Sequence, residues 1–448
     1  MRYILQAFIF ILLLNGETYG QGQPKTSFSH PSWSGQSNIY EVNLRQYSKS
    51  GTFKYFQKHL PRLKKMGVEI LWFMPITPIG IEGRKMTSAD LGSYYAVRNY
   101  KEVNPEFGTM NDWKDLVKQA HSMGFKVITD WVANHSSPDN PWITSHPDFY
   151  VKDSTGNFVA PFDWTDVRKL NYSNRELRDT MIEAMKFWLK ETGTDGFRCD
   201  VAGEVPDDFW KTCITELKKV KNVFMLAEGE TPGLHYAGFD ATYTWSIMSP
   251  LTDVYAGRLT ITGLDSILNK NISSYPVNAY RMYFTTNHDE NSWNGTEFEK
   301  YGGAAKAFAV FSQTMYQSIP LIYNGQELPN TKRLKFFVKD PIEWNGNYAM
   351  ASFYQTMLLL RKRNRALAAD AAYKRLNTSN DANIFAYIRE KAGKKVLVIL
   401  NFSPQPHNLK VKDGGSGLAT NVFTRKKELI NNRKIYTVKA WGFTVYEW

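Results

Sequence analysis

Between residue 37 and about residue 365, short apolar runs alternate with longer stretches whose apolar positions return at helical spacing. The runs are Ile39 to Leu44, Ile70 to Ile76, Lys126 to Trp131, Gly196 to Val201, Val223 to Glu228, Ala241 to Thr244, Arg281 to Asn287 and Pro320 to Tyr323. Eight such strands with intervening helices predict an α/β fold, a closed parallel (β/α)8 TIM barrel. One helix is legible in detail. Asn174 can cap it, Leu177, Met181, Met185 and Trp188 recur near the 3.6-residue period, and Gly193 follows as a stop. From about Leu376 the pattern becomes period-two alternation punctuated by Gly393 and Asn431-Asn432. That change predicts a small C-terminal antiparallel β-sandwich domain.

The expected domains are therefore a barrel over 37–370, with a short insertion after its third strand over 136–166, and a β domain over 371–448. The insertion is read from its length and from Pro138, Pro141, Pro147 and Gly156. Residues 21–36 read as a flexible lead-in. In residues 1–20, Arg2 precedes the apolar run Ile4 to Leu14, and small and polar residues follow. This is the layout of a secretory signal peptide and is short for a bilayer span. It predicts a secreted or periplasmic protein with no stable membrane insertion after cleavage.

A chain of 448 residues, 43% hydrophobic and 15% aromatic, can bury one large core and a smaller one. The net charge of +12 belongs to the mature chain, because residues 1–20 hold one Arg and one Glu. Its Lys and Arg residues are spread thinly and are not interleaved with aromatics, which reads as a solvated surface and argues against a nucleic-acid partner. Cys199 sits inside an apolar run and Cys213 on the following helix, so an exported chain here relies on core size rather than on bridges.

The candidate chemistry lies at the ends of the runs. In Gly196-Phe197-Arg198-Cys199-Asp200, strand alternation puts Arg198 and Asp200 on one face. Arg198 is expected to lower the pKa of Asp200 and keep it an anion. Asp130, Glu228 and Asp289 close three further runs, and in a parallel barrel such ends converge on one face. His135 and His288, read as neutral donors to hydroxyls, and the nearby aromatics suit a sugar ring. No serine elbow, P-loop lysine or glycine-rich dinucleotide turn follows a strand, which disfavours acyl and phosphoryl transfer. Two carboxylates in unlike environments can instead cleave a glycosidic bond, one as nucleophile and one as proton donor. Glu228, after the apolar Met225-Leu226-Ala227, is the better donor.

These residues resemble the α-amylase family of glycoside hydrolases, family 13. Asp130-Trp131-Val132-Ala133-Asn134-His135 is similar to its first shared region, Gly196 to Glu204 to its second, Glu228 with its lead-in to its third, and Phe284 to Asp289 to its fourth. Gly67 to Ile76 and Ile319 to Glu327 resemble lesser regions, so the likeness spans roughly residues 37 to 448. The resemblance implies that Asp200 is the nucleophile, Glu228 the acid and base, and Asp289 the stabiliser of the distorted transition state. It further implies that Arg198 orients Asp200, that His135 and His288 bind the sugar in the −1 subsite, that Tyr95 stacks on it, and that Asp130 supports the site. The activity implied is hydrolysis of α-1,4-glucosidic bonds in starch-like glucans or maltooligosaccharides with retention. A transglycosylase or isomerase using the same site is the alternative, and a non-catalytic glycan-binding relative a remoter one.

The departures concern contacts and calcium. Asn99 stands where the family commonly has aspartate, and Glu204 where many α-amylases have a calcium-linked histidine. No acidic loop follows the first strand. The chemistry requires no cofactor; a structural calcium stays a candidate, with Asn134 as the matching ligand.

Overall fold

The computed structural model describes residues 29–84 and 89–448. The leader expected over residues 1–20 lies outside the described residues.

Eight parallel strands close into a barrel in sequential order. They are β1 (Ile39–Val42), β2 (Ile70–Phe73), β3 (Lys126–Val132), β4 (Gly196–Asp200), β5 (Phe224–Ala227), β6 (Ala241–Tyr243), β7 (Tyr280–Tyr283) and β8 (Ser318–Tyr323). Each of the eight predicted runs overlaps a strand, and several strands stop short of the predicted end where the chain turns into the loops that rise from the barrel. Alternate side chains divide the strands between two layers. Ile39, Ile70, Trp72, Ile128, Phe224, Leu226, Met282 and Ile319 fill the interior. Leu71, Phe73, Val127, Phe197, Cys199 and Met225 face the surrounding helices. Cys199 and Cys213 are both buried and free.

The helix expected after Asn174 spans Arg175–Thr192. The Asn174 side chain accepts from the Leu177 N–H, and Gly193 ends the helix in a left-handed conformation with φ 72°. Its buried stripe of Leu177, Met181, Met185 and Trp188 packs on the strand layer. Fully burying one such side chain contributes about 1.5–3 kcal/mol, so the stripe rather than helix propensity holds this element in place.

Residues 29–36 are part of the fold, which corrects their reading as a flexible lead-in. His30 Nδ1 donates to Asp240 Oδ1 at 2.7 Å, the ring stacks on Tyr280, and Trp33 packs against Phe224. Backbone bonds from Ala369 N to Gly35 O and from Ser37 N to Ser34 O fix the segment across the end of the barrel where the strands begin. The alternation rule misses it because it follows neither period and is ordered entirely by what it covers.

Beyond the barrel, an antiparallel six-stranded sheet and a two-stranded sheet pair Leu376, Ile384, Ile399 and Ala419 with Leu409, Tyr436 and Val438 across a shared apolar core. Its other face meets the barrel through Phe353, Phe423 and Phe443. Buried Arg389 donates to the carbonyls of Thr314, Met315, Ala368 and Ala371, which ties the two units together. Among the described residues no helix is long and apolar enough to cross a membrane.

Candidate active site

The loops that follow the strands surround a cavity of about 390 Å³ whose lining includes Tyr95, His135, Asp200, Glu228 and Asp289. At its floor lies Arg198, wholly buried on β4. Its Nη1 donates to Asp130 Oδ1 at 2.9 Å and to Asp200 Oδ1 at 3.1 Å, and its Nη2 lies 2.9 Å from Glu228 Oε1. Nε donates to the Tyr243 hydroxyl at 3.2 Å. One guanidinium therefore gathers carboxylates from β3, β4 and the residue just past β5.

Backbone geometry makes this gathering feasible. β4 begins with Gly196, where a Cβ would sit 1.9 Å from the Phe224 carbonyl oxygen, so only glycine allows β4 and β5 to approach this closely. β4 ends at Asp200, and Val201 then turns with φ 34°, a left-handed conformation that a β-branched residue rarely adopts. That turn aims the Val201 N–H at Glu228 Oε2, 2.7 Å away. The strained residue thus fixes the acid on the neighbouring strand.

The acids do not all occupy strand ends. Asp130 lies inside β3, where Trp72 Nε1 and the Tyr95 hydroxyl also donate to its Oδ2 at 3.2 and 3.3 Å. Asp289 follows the end of β7 by six residues and precedes a π-helical turn, Glu290–Asn294. Its side chain is 43% exposed and faces the cavity. The part of the predicted run that suggested a longer strand, Phe284 to Asn287, is buried loop rather than ladder.

Charge balance differs from group to group. Burial, and then the charge of Glu228, push the Asp200 carboxyl well above the usual carboxylate range, with Arg198 acting against both. This corrects the expectation that Arg198 leaves Asp200 depressed. One guanidinium contacts the three carboxylates of Asp130, Asp200 and Glu228, so the anions outnumber the cation that touches them. Asp130 is likewise pushed up by burial, against Arg198, to about 6. Asp289 behaves oppositely: burial would raise it, but the charge and hydrogen bond of His288 bring it below the usual range.

The two histidines also part. Burial lowers His135 to about 3, so it is the neutral donor or acceptor expected, 4.0 Å from Asp200 Oδ2. Burial alone would lower His288 too, but Asp289 and then Glu41 raise it well above its ordinary value. His288 is therefore an imidazolium, which corrects its reading as a neutral donor. Its Nε2 lies 2.7 Å from the Tyr95 hydroxyl and 3.2 Å from Asp289 Oδ2.

Aromatic side chains form the rim. Trp164, carried by the insertion, lines the cavity and meets His135 edge-on at 5.5 Å. Phe162 stands beside Trp164 and is 63% exposed. Trp142 and Trp344 do not reach the cavity lining; they stack on Tyr100 and pack on Tyr47 respectively. On the other side, Trp293, Phe336 and Phe337 line the cavity, and no strand or helix period marks them in the sequence. Trp293 is 55% exposed and stands on the same cavity wall as Asp289. Glu41 was also missed, although a lone acid in the apolar Ile39-Tyr40-Glu41-Val42 is the same signal that marked Asp130.

Asn134, the residue matched to a calcium ligand, is engaged by its neighbours. The Asn134 carbonyl accepts from Leu170 N at 3.0 Å and its Nδ2 meets His135 Nδ1 at 3.3 Å. Among the described residues no group of three His, Cys, Asp or Glu side chains is placed to hold a metal. Asn134 instead braces the turn that carries His135.

Comparison with known proteins places this geometry in context. The chain matches the family described as alpha amylase, catalytic domain, over residues 34–168 and 148–365, and that described as maltogenic amylase, C-terminal domain, over 373–445. It is similar to the maltogenic α-amylase AmyB of Thermotoga neapolitana, with 29% identity and a TM-score of 0.83 over 92% of this chain and 98% of that one. An α-amylase structure from Lactobacillus plantarum gives 28% identity and 0.82 over 92% and 99%. Alpha-amylase MalA of Haloarcula japonica is 25% identical over 87% of this chain, which spans 59% of that relative's length.

Proposed function

The chain belongs to the α-amylase catalytic-domain family, and from that premise we propose that it is a retaining glycoside hydrolase. Its substrates are α-1,4-linked glucans or maltooligosaccharides. The observation that carries this reading is the single guanidinium of Arg198 shared among Asp130, Asp200 and Glu228 beneath an aromatic-rimmed cavity, with Asp289 at its side.

Asp200, held from below by Arg198 and with His135 4.0 Å away, attacks the anomeric carbon. The bond to the leaving oxygen breaks as the protonated form of Glu228 hands that oxygen its proton. The Val201 N–H stabilises the carboxylate left on Glu228. The transition state carries positive charge on the ring, and the ionised Asp289 lies where it can oppose that charge. Water then gives its proton to Glu228 and attacks the same carbon, releasing Asp200.

Transglycosylation uses the same first half. The rim of Trp164, Trp293, Phe336 and Phe337 favours it, since these faces can hold a second sugar whose hydroxyl intercepts the intermediate. Time-resolved product analysis on maltoheptaose separates the two: only shorter products mark hydrolysis, and longer ones mark transfer. Absence of any glucan turnover overturns both readings. Export, by way of the Arg2 and Ile4 to Leu14 leader, is part of the same proposal and is tested by sequencing the N-terminus of the protein recovered outside the cytoplasm.

A further inference from the structure

A buried carboxylate with no part in the steps above sits directly behind the sugar-facing histidine. Glu41 lies on β1, paired in register with Trp72 on β2 and Tyr323 on β8, and is wholly buried. Its Oε1 is 2.5 Å from His288 Nδ1, while Oε2 has no hydrogen-bond partner among the described residues. An unpartnered charged oxygen in the interior is costly, and a glutamine would keep the bond to Nδ1 without carrying that charge.

We infer that Glu41 is a positioning residue that holds His288 as a doubly protonated, fixed donor, and through it fixes and ionises Asp289. This rests on the function proposed above. Both ring nitrogens face carboxylates, Glu41 at Nδ1 and Asp289 at Nε2, and carboxylates only accept, so both nitrogens carry hydrogen. The remaining groups that bear on the ring are the Tyr95 hydroxyl at 2.7 Å and, at longer range, Asp130. Burial raises the Glu41 carboxyl, the charge and hydrogen bond of His288 and then the charge of Arg198 act against it, and Asp289, Tyr243 and Tyr323 also bear on it. The arrangement is a chain from carboxylate to imidazolium to carboxylate. Its inner end is sealed in the barrel and its outer end opens on the substrate.

The sign of the effect is fixed by this geometry. A histidine whose folded pKa is raised stays charged until pH rises through that value, so loss of the Glu41 charge moves the loss of function to lower pH. In E41Q the alkaline limb of kcat/KM is expected to fall by about 1–3 units. At pH 5 the variant approaches wild type, and above its own limb the wild-type to variant ratio grows about tenfold per pH unit. A packing defect would give a ratio that does not change with pH.

The second readout needs no substrate. Nitrogen–proton correlation spectra of the histidine rings, with His288 assigned through His288→Gln, are expected to show a doubly protonated ring from pH 5 to 8 in the wild type. In E41Q the same ring titrates inside that range. An alkaline limb that stays in place, or a neutral His288 at pH 7 in the wild type, overturns the inference. A wild type that turns over no α-glucan yet shows the charged ring overturns the proposed function and leaves the role of Glu41 standing.

Discussion

The two ends of strand β4 hold opposite charge arrangements. Just before the strand, Asp195 is one carboxylate among bases: His121 Nε2 at 2.7 Å, Lys221 Nζ at 2.8 Å, Lys126 Nζ at 3.6 Å, and the Val127 N–H at 2.9 Å. At the far end, Asp200 is one of three carboxylates around a single base. Burial raises both acids, yet the partners around Asp195 outweigh it and bring that group to about 2, whereas Glu228 adds to it at Asp200. An acid surplus in cations is locked as an anion and serves stability. An acid short of cations keeps a proton in play, which glycoside cleavage needs.

The contrast is broken most severely at the mouth. Asp200→Asn is expected to lower kcat by about 10⁴-fold or more, with a melting temperature equal to or above that of the wild type because one of three crowded carboxylates is gone. A measurable rate within tenfold of wild type would remove Asp200 from its assigned place. Glu228→Gln should lose about 10²–10⁴-fold on maltoheptaose yet keep much of its rate on a glucoside whose leaving group needs no proton. Equal losses on both substrates would count against Glu228 as the proton donor.

Stability measurements sharpen the same comparison with opposite signs. Asp130, held up at about 6, is protonated at low pH in the folded state, so it subtracts stability as pH rises from the unfolded value near 3.8 through 6. Relative to wild type, Asp130→Asn should therefore gain about 2–3 kcal/mol between pH 4 and pH 7 in denaturant titrations, while activity falls. Asp195 is held down at about 2, so its contribution is present above about pH 4 and is lost as pH falls toward 2. Asp195→Asn should cost about 2 kcal/mol at pH 7 and nothing near pH 2, with kcat at low temperature unchanged. Parallel pH slopes for the two variants would mean that the two ends are not electrostatically distinct.

The smallest expected effect is at the rim. Trp293→Ala removes a half-exposed ring from the cavity wall. KM on maltoheptaose should rise about three- to tenfold, in keeping with about 0.5–1.5 kcal/mol for an aromatic contact. A loss comparable to that of Asp200→Asn would place Trp293 among the reacting groups.

The residues that the sequence exposes are those set by local rules. Arg198 and Asp200 share a face because alternation is a property of any strand, and the stripe from Leu177 to Trp188 follows from the helical period. Asp130 and Glu228 stand out because an acid in or just past an apolar run is costly unless it has a purpose. Glu41 obeys the same rule and was passed over because it lies mid-run in the first strand, without an arginine nearby in sequence.

What the sequence determined by itself was the barrel, the attached β domain and the identity of the groups able to do the chemistry. Periodicity and residue type encode these directly. Tertiary structure alone decided the charge of each group. Whether Asp200 is depressed or raised, and His288 neutral or charged, depends on counting carboxylates against cations within a few ångströms in a dry interior. Those neighbours come from β1, β3, β4, β5 and the loop after β7, and only barrel closure brings them together. The path of residues 29–36 was likewise decided by contact, since the segment has no period of its own and takes its shape from the end of the barrel it covers.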